Sequence, residues 1–136
     1  MSLFPTLDFK VIAILTSGPN PMTLSELSVQ IDTDKPTAIY VFAHNKGLQP
    51  VGMLRLEINE PAGWIGALFV EEPYRGKGVG KQLLNRAFDL CREMGKTMVA
   101  LTVADKNEGA QRLYKSLGFA PFMAGHEGYM QYIKTL

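Results

Sequence analysis

The sequence predicts an α+β fold in which an antiparallel β meander continues into a parallel β-α-β unit, with helices on both faces of a mixed sheet. In the N-terminal half, strand-length runs rich in β-branched residues alternate with turn residues, which is typical of a meander. Further along, apolar residues recur at helical spacing over residues 79–94. A nearly unbroken apolar run over residues 97–103 follows that helix. Such a run indicates a strand covered on both faces, parallel to the strand before the helix.

Size and composition indicate one domain. If the 136 residues were divided, both pieces would be too small to bury a good core, so we expect a single domain over residues 1–136. With 46% hydrophobic residues and a formal net charge of +1, the composition argues against disorder and against a globally basic nucleic-acid binder.

Cysteine and histidine usage narrows the class further. The single cysteine, Cys91, cannot form an internal disulfide, and no apolar run approaches the roughly 18 residues of a membrane span. These features predict a cytoplasmic protein without a membrane partner. The two histidines, His44 and His126, lack the spacing of a zinc site, so we expect no metal.

The N-terminal elements are read from β-forming runs and one capping signal. Residues 9–15 predict a strand that ends in a loop over residues 17–21. Residues 23–26 have the capping-box pattern Thr-Leu-Ser-Glu, and Leu27 and Ile31 follow at helical spacing, so a short helix is predicted there. Three strands of the meander are predicted over residues 37–43, 51–58 and 64–70, the first two joined at the turn Asn45-Lys46-Gly47.

The C-terminal elements have clearer periodicity. The helix over residues 79–94 ends at Gly95, and the strand over residues 97–103 follows it. A second helix begins after Asp105 or Asn107 as its cap and stops at Gly118. Its apolar stripe is formed by Ala110, Leu113, Tyr114 and Leu117. Short strands are predicted over residues 119–122 and 129–133.

A glycine-rich loop joins the third meander strand to the first predicted helix. Residues 75–80 read Arg-Gly-Lys-Gly-Val-Gly, so three alternate glycines precede a helix N-terminus, where backbone N–H groups can converge on an anion. The twelve residues 75–86 contain no acid and four bases, namely Arg75, Lys77, Lys81 and Arg86. The pattern predicts a phosphate or pyrophosphate site, and the alternative is a tight turn with no ligand.

Two common phosphate-binding motifs do not fit this loop. A Walker A loop needs Gly and Ser or Thr where the chain has Arg75 and Gln82. A dinucleotide-binding fingerprint needs its last Gly where the chain has Lys81 or Leu83.

The loop resembles the Arg/Gln-x-x-Gly-x-Gly/Ala acetyl-coenzyme A motif of the GNAT N-acetyltransferases, and residues 107–119 are similar to the second signature of that family. The resemblance covers roughly residues 51–122. It implies a GNAT-like mixed sheet and an acetyl-coenzyme A dependent N-acetyltransferase. Such an enzyme moves the acetyl group to a primary amine by direct attack through a tetrahedral intermediate. A noncatalytic acyl-coenzyme A-binding regulatory module is the alternative.

The resemblance also implies roles for individual residues. It places the pantetheine arm on Leu68, Phe69 and Val70, and the pyrophosphate on Arg75, Gly76, Lys77, Gly78, Val79, Gly80 and Lys81. It makes Asn107 a coenzyme A contact and Tyr114 the general acid that protonates the departing thiolate. These last two residues are seven apart, so they share one helix face. The alternatives are a helix cap for Asn107 and core packing for Tyr114.

The general base and the acceptor are not assigned. Some family members carry a Glu where this chain has Thr102. Other candidates for the base are Glu57, Glu71, Glu72 and His44. The acceptor is expected to be a small-molecule or protein amine. Residues 17–35 supply one predicted helix where the family usually has two. The resemblance therefore implies an acceptor pocket that is either more open or completed by another subunit of a homodimer.

Overall fold

The computed structural model describes residues 9–16, 26–32, 34–35, 37–58 and 60–136. Within these residues the chain forms eight strands and two α-helices. In chain order they are β1 (Phe9–Thr16), β2 (Glu26–Asp32), β3 (Ala38–His44), β4 (Pro50–Glu57), β5 (Gly63–Val70), α1 (Val79–Glu93), β6 (Met98–Ala104), α2 (Glu108–Ser116), β7 (Ala120–Ala124) and β8 (Tyr129–Thr135).

The strands form one mixed sheet in the order β1-β2-β3-β4-β5-β6-β8-β7. Strands β1 to β5 are a continuous antiparallel meander. Strands β5 and β6 pair in parallel, and α1 connects them, so the predicted β-α-β unit is present. Strand β8 then pairs antiparallel with both β6 and β7. The predicted α+β class and mixed sheet are therefore confirmed.

One predicted element is wrong. The helix expected from the capping-box pattern is, where described, strand β2, and the start of that pattern at Thr23 lies outside the described residues. Strand β2 pairs along both edges, with β1 and with β3. Leu27 and Val29 belong to the main apolar core, whereas Ser28 between them bonds His44 on the other face, which is strand periodicity. The two ladders and the period of two outweigh a local capping signal.

The main core lies on the face of the sheet that α1 covers, which we call the helix face. Leu83, Leu84 and Ala87 of α1 are fully buried there against strands β2 to β6, and Tyr114 of α2 belongs to the same cluster. A second, smaller cluster on the opposite face is made of strand residues. Its members are Ala38, Tyr40 and Phe42, with Met53 and Phe69 packed against them. Helices were expected on both faces, but both helices of the described chain pack on the helix face.

Among the described residues, no helix has the length and apolar character needed to cross a membrane.

Candidate cofactor site

Strands β5 and β6 separate part of the way along their length. Their parallel pairing covers Gly63, Trp64 and Ile65 of β5 and stops there. At this point β5 carries a β-bulge, because Leu56 of β4 opposes Ile65 while Arg55 opposes Ala67, which leaves Gly66 as an extra residue. A bulge bends the strand that contains it. The C-terminal half of β5 therefore diverges from β6 and leaves an opening between the two strands.

The edge of β5 that faces this opening carries main-chain groups of Leu68 and Val70. The N–H of Glu71 donates to the carbonyl of Val51 at 2.8 Å, and bonded and non-bonded pairs alternate along an antiparallel ladder. The next bonded pair toward the bulge is therefore Phe69 with Met53, so Phe69 uses its main-chain groups on β4. The N–H and C=O groups of Leu68 and Val70 point the other way. An extended amide-bearing ligand can pair with them as an added strand does.

The glycine loop brings an uncapped helix N-terminus to the same opening. Gly76 and Gly78 have φ values of 73° and 86°, a region that favours glycine. Gly78 is the N-cap of α1; no side chain caps this helix, and its first turn contains no acid. A Cβ at Gly76 or at Gly78 would meet nothing within 4 Å. The first N–H groups of α1 are thus available to an anion, with the helix dipole adding positive charge.

These features line one cavity of about 410 Å³. The residues around it are Leu68, Val70, Tyr74, Arg75, Gly76, Gly78, Val79, Gly80, Lys81, Asn107, Ala110, Leu113 and Tyr114. Of the residues expected at a cofactor site, Phe69 and Lys77 are the two that do not line it. The side chain of Phe69 lies in the cluster on the opposite face, and Lys77 is exposed.

Three lining residues were not expected at the site. Ala110 and Leu113 lie on the helix face shared by Asn107 and Tyr114, so the spacing that placed that pair also predicts them. Tyr74 precedes the loop, and its hydroxyl accepts a hydrogen bond from Asn45 Nδ2 at 3.3 Å. That contact joins distant parts of the chain, and no local pattern predicts it.

The positive charge of the site comes from fewer residues than the basic run suggests. Arg75 and Lys81 line the cavity, and the Nε of Arg75 donates to the carbonyl of Val70 at 2.7 Å. Arg86 lies two turns into α1, is largely buried, and pairs with Glu93 at 3.5 Å. It therefore belongs to the packing of α1 rather than to the anion site.

Asn107 serves as the helix cap and also lines the cavity. Its Oδ1 accepts a hydrogen bond from the N–H of Ala110 at 3.0 Å, which satisfies one of the orphan donors of α2. Within the described residues its Nδ2 has no hydrogen-bond partner, so that group is available as a donor in the cavity.

Tyr114 both packs in the core and lines the cavity, so the two interpretations that the sequence left open are compatible. The side chain is 8% exposed, and its ring meets Phe119 edge-on at 5.7 Å, yet the residue lines the cavity. Burial raises the pKa of Tyr114, so its phenol stays protonated at neutral pH. The raised pKa increases the difference between the pKa of the Tyr114 phenol and that of a thiol. Proton transfer from the phenol to a thiolate would be easier if neighbouring groups reduced this difference.

No candidate for the general base lines the cavity in the described chain. Glu57 is held by two cations, Lys35 at 2.9 Å and Arg55. His44 shares a hydrogen bond of 2.8 Å with Ser28. Thr102, at the position where some family members carry Glu, is exposed on β6. The same described residues contain no group of three His, Cys, Asp or Glu side chains placed to hold a metal ion.

Comparisons with known proteins agree with this geometry. The model of the acetyltransferase (GNAT) family matches residues 12–119. An uncharacterized N-acetyltransferase of Methanocaldococcus jannaschii is 33% identical over 78 residues, which are 52% of this chain and 34% of that protein. An N-alpha-acetyltransferase of Arabidopsis thaliana is 42% identical over 57 residues, 42% of this chain and 30% of that protein. The matches thus span about a third of these relatives' length.

A solved structure shares the fold. It is the PaiA N-acetyltransferase of Thermoplasma acidophilum in complex with coenzyme A, with a TM-score of 0.69 and 20% identity, covering 74% of this chain and 62% of that one.

Proposed function

The chain belongs to the acetyltransferase (GNAT) family, and we propose that it transfers an acetyl group from acetyl-coenzyme A to a primary amine. One observation carries the proposal: the unpaired edge of β5 runs directly into the uncapped N-terminus of α1, within a single cavity. The cofactor has the matching chemistry, because an amide-bearing pantetheine arm is joined to a pyrophosphate. The name of the Arabidopsis relative and the coenzyme A bound to the PaiA enzyme support the same activity.

The pyrophosphate end is assigned to the start of α1. Gly76, Gly78 and Gly80 bring main-chain N–H groups together there, and Lys81 adds a cation. Arg75 stands beside them and reaches the anion once it leaves the carbonyl of Val70. Lys77, whose side chain is exposed within the loop, contributes through its charge.

The pantetheine end is assigned to the open edge of β5. Leu68 and Val70 present the N–H and C=O groups that pair with the arm, the carbonyl of Val70 once Arg75 has left it. Phe69 holds β5 in place through its pairing with Met53. Asn107 donates from Nδ2 across the opening while its Oδ1 remains on the cap of α2. The N–H of Leu68, the free donor nearest the bulge, is positioned to hold the oxyanion that develops on the acyl carbonyl.

The rest of the proposed mechanism concerns bond changes and proton transfers. When the amine attacks, a C–N bond forms in a tetrahedral intermediate, and the nitrogen releases one proton to water in the opening. The C–S bond then breaks, Tyr114 gives its phenolic proton to the leaving thiolate, and water returns a proton to the Tyr114 phenolate. The attacking amine must itself be neutral, and an alkylammonium has a pKa of about 10.4. Because no carboxylate or imidazole of the described chain lines the cavity, we assign removal of that proton to water in the opening.

Binding and turnover test this proposal separately. In thermal shift measurements, acetyl-coenzyme A at about 100 times its dissociation constant stabilises the fold by about 2.7 kcal/mol, whereas ATP and NAD do not. Release of free thiol across a panel of amines then measures transfer. A protein that shows no shift with acetyl-coenzyme A contradicts the proposal. Binding without thiol release from any amine supports a noncatalytic coenzyme A-binding module instead.

A further inference from the structure

The bulge in β5 holds a cation on the opposite face of the sheet. Arg55 of β4 opposes Ala67, directly beside the extra residue Gly66. A Cβ placed on Gly66 would lie only 2.9 Å from Nη1 of Arg55, so the guanidinium occupies the space that a side chain at position 66 would need. Gly66 is exposed, and the side chain of Arg55 is 30% exposed, so a ligand can reach both.

The surroundings leave this guanidinium able to take an anion. Arg55 contacts Glu57 through Nη2, and Glu57 also pairs with Lys35 at 2.9 Å. Lys35 and Arg55 therefore share one carboxylate, and the three side chains together keep a formal charge of +1. In the described chain, Nη1 of Arg55 has no acceptor. A guanidinium presents several donors in a fixed fork that matches the two oxygens of a carboxylate.

The position of Arg55 matters because it is at the narrow end of the opening. The opening closes at Ile65, where β5 and β6 pair again, and it is widest toward α1, where the pyrophosphate is assigned. From Val70 back to Gly66 the strand spans about 13 Å at roughly 3.3 Å per residue. The acyl end of the arm thus comes to the bulge, beside the guanidinium.

We propose that Arg55 binds the carboxylate of the acceptor and that the acceptor is a free α-amino acid, an inference that rests on the proposed acetyl transfer. In an α-amino acid the amine and the carboxylate are on the same carbon atom. Holding the carboxylate at Gly66 therefore brings the amine to the acyl carbon. Polyamines and lysine side chains within proteins offer Arg55 no anion next to the reacting amine. Met53 and Phe69 lie on the same face and provide apolar contacts for the amino-acid side chain.

The test compares amino acids with their α-amides, which keep the amine and side chain but lose the negative charge. Thiol release from the full chain at saturating acetyl-coenzyme A is measured with leucine, methionine and phenylalanine, with the three amides, and with spermidine. We expect kcat/KM for at least one acid to exceed that for its amide by more than about 10-fold, the size of one charge-assisted contact. Equal use of acids and amides, or a preference for spermidine, overturns the inference.

Variants test whether the preference for amino acids over their amides comes from Arg55. We expect Arg55→Gln to lower kcat/KM for the preferred amino acid by about 30-fold, mostly through KM. Its use of the amide and its affinity for acetyl-coenzyme A stay within about 3-fold. Gly66→Ala displaces the guanidinium without removing it and raises the same KM. The matched control is Lys115→Gln, which removes an exposed cation in the last turn of α2, away from Arg55 and Glu57, and leaves the preference unchanged. If Arg55→Gln does not fold, the comparison of acids with amides in the unaltered chain still tests whether the acceptor carboxylate is recognised.

The two proposals fail in distinguishable ways. Loss of acetyl-coenzyme A binding, or binding without thiol release from any amine, contradicts the acetyl transfer itself. Thiol release from spermidine and amides with no preference for acids leaves the transfer intact and overturns only the role of Arg55.

Discussion

The two helices of the described chain begin in opposite ways. Helix α1 starts after Gly78, has no side-chain cap and carries no acid in its first turn. Helix α2 starts after Asn107, whose side chain accepts from the N–H of Ala110, and Glu108 adds a negative charge in its first turn. Both ends present the same orphan donors and the same dipole. In α2 the Asn107 side chain satisfies one of these donors and Glu108 complements the dipole, whereas in α1 the donors remain available to a ligand.

Both helices line one cavity, but each contributes a different part of itself. In the proposed function, helix α1 contributes its end, where N–H groups and Lys81 meet an anion. Helix α2 contributes its flank, where Asn107 and Tyr114 are two turns apart on one face. We therefore expect changes at the start of α1 and at Asn107 to affect cofactor binding, and a change at Tyr114 to affect turnover.

The largest effect is expected at Tyr114. Tyr114→Phe removes the proton donor and keeps the ring against Phe119, so kcat should fall by about 100-fold or more, within the range of general acid catalysis. The affinity for acetyl-coenzyme A should change by less than about 3-fold. Steady-state kinetics and calorimetric titration measure the two quantities. Tyr132→Phe, a buried tyrosine of β8 outside the cavity, is the control. Unchanged kcat in Tyr114→Phe would remove Tyr114 from the mechanism.

The pH dependence of kcat gives a second measurement of the same group. The protonated phenol is the active form, and burial raises the pKa of Tyr114 above its ordinary value of about 10. As pH rises, its proton is therefore lost only beyond about pH 10, and the associated fall in kcat should lie in that range. In Tyr114→Phe this fall should be absent. A fall that persists unchanged in the variant belongs to another group.

The next largest effect is expected from reversing a charge at the start of α1. Lys81→Glu gives α1 the first-turn acid that α2 already has, and should weaken acetyl-coenzyme A binding by about 100-fold through lost attraction and new repulsion. Lys115→Glu, in the last turn of α2, makes the same exchange away from the cavity. It should leave binding within about 3-fold. Equal weakening by both variants would indicate a general charge effect rather than a local anion site.

A smaller effect is expected from the glycine at the start of α1. Gly78→Ala introduces a Cβ at a φ of 86°, which costs about 1–2 kcal/mol of stability and should weaken cofactor binding by about 10-fold as the loop distorts. Gly95→Ala has nearly the same conformation, with a φ of 75° and nothing within 4 Å of the new atom, but lies at the other end of α1. The Gly95→Ala variant should lose the same free energy of unfolding but bind acetyl-coenzyme A with unchanged affinity. Chemical denaturation and titration distinguish the two.

The smallest effect is expected at the cap of α2. Asn107→Asp keeps the oxygen that accepts from Ala110 and replaces the free Nδ2 with an acceptor, so stability should stay within about 0.5 kcal/mol while cofactor affinity falls several-fold. Asn107→Ala removes both functions and should also cost about 1 kcal/mol. If Asn107→Asp binds acetyl-coenzyme A as tightly as the unaltered chain, Asn107 is a cap only.

Local patterns in the sequence predicted the elements of the C-terminal half because those elements rest on neighbouring residues. The spacing of Leu83, Leu84 and Ala87 predicts α1, and the alternate glycines predict its open start. The position of Asn107 two turns before Tyr114 predicts a shared face of α2. Helix periodicity, caps and glycine turns are all decided within a few residues, so a single sequence is sufficient to find them.

Tertiary pairing decided the rest. Residues 26–32 form a strand because β1 and β3 bond to both of its edges, and no local signal contains those partners. The register that makes Gly66 a bulge depends on Arg55 and Leu56, ten or so residues away, and that bulge determines which main-chain groups of β5 are free. Likewise Arg86 and Lys81 read as one basic run, but α1 turns Arg86 toward Glu93 and leaves Lys81 at the cavity. The sequence determined which residues are able to bind an anion, whereas contacts between distant strands decided where the cofactor has room to lie.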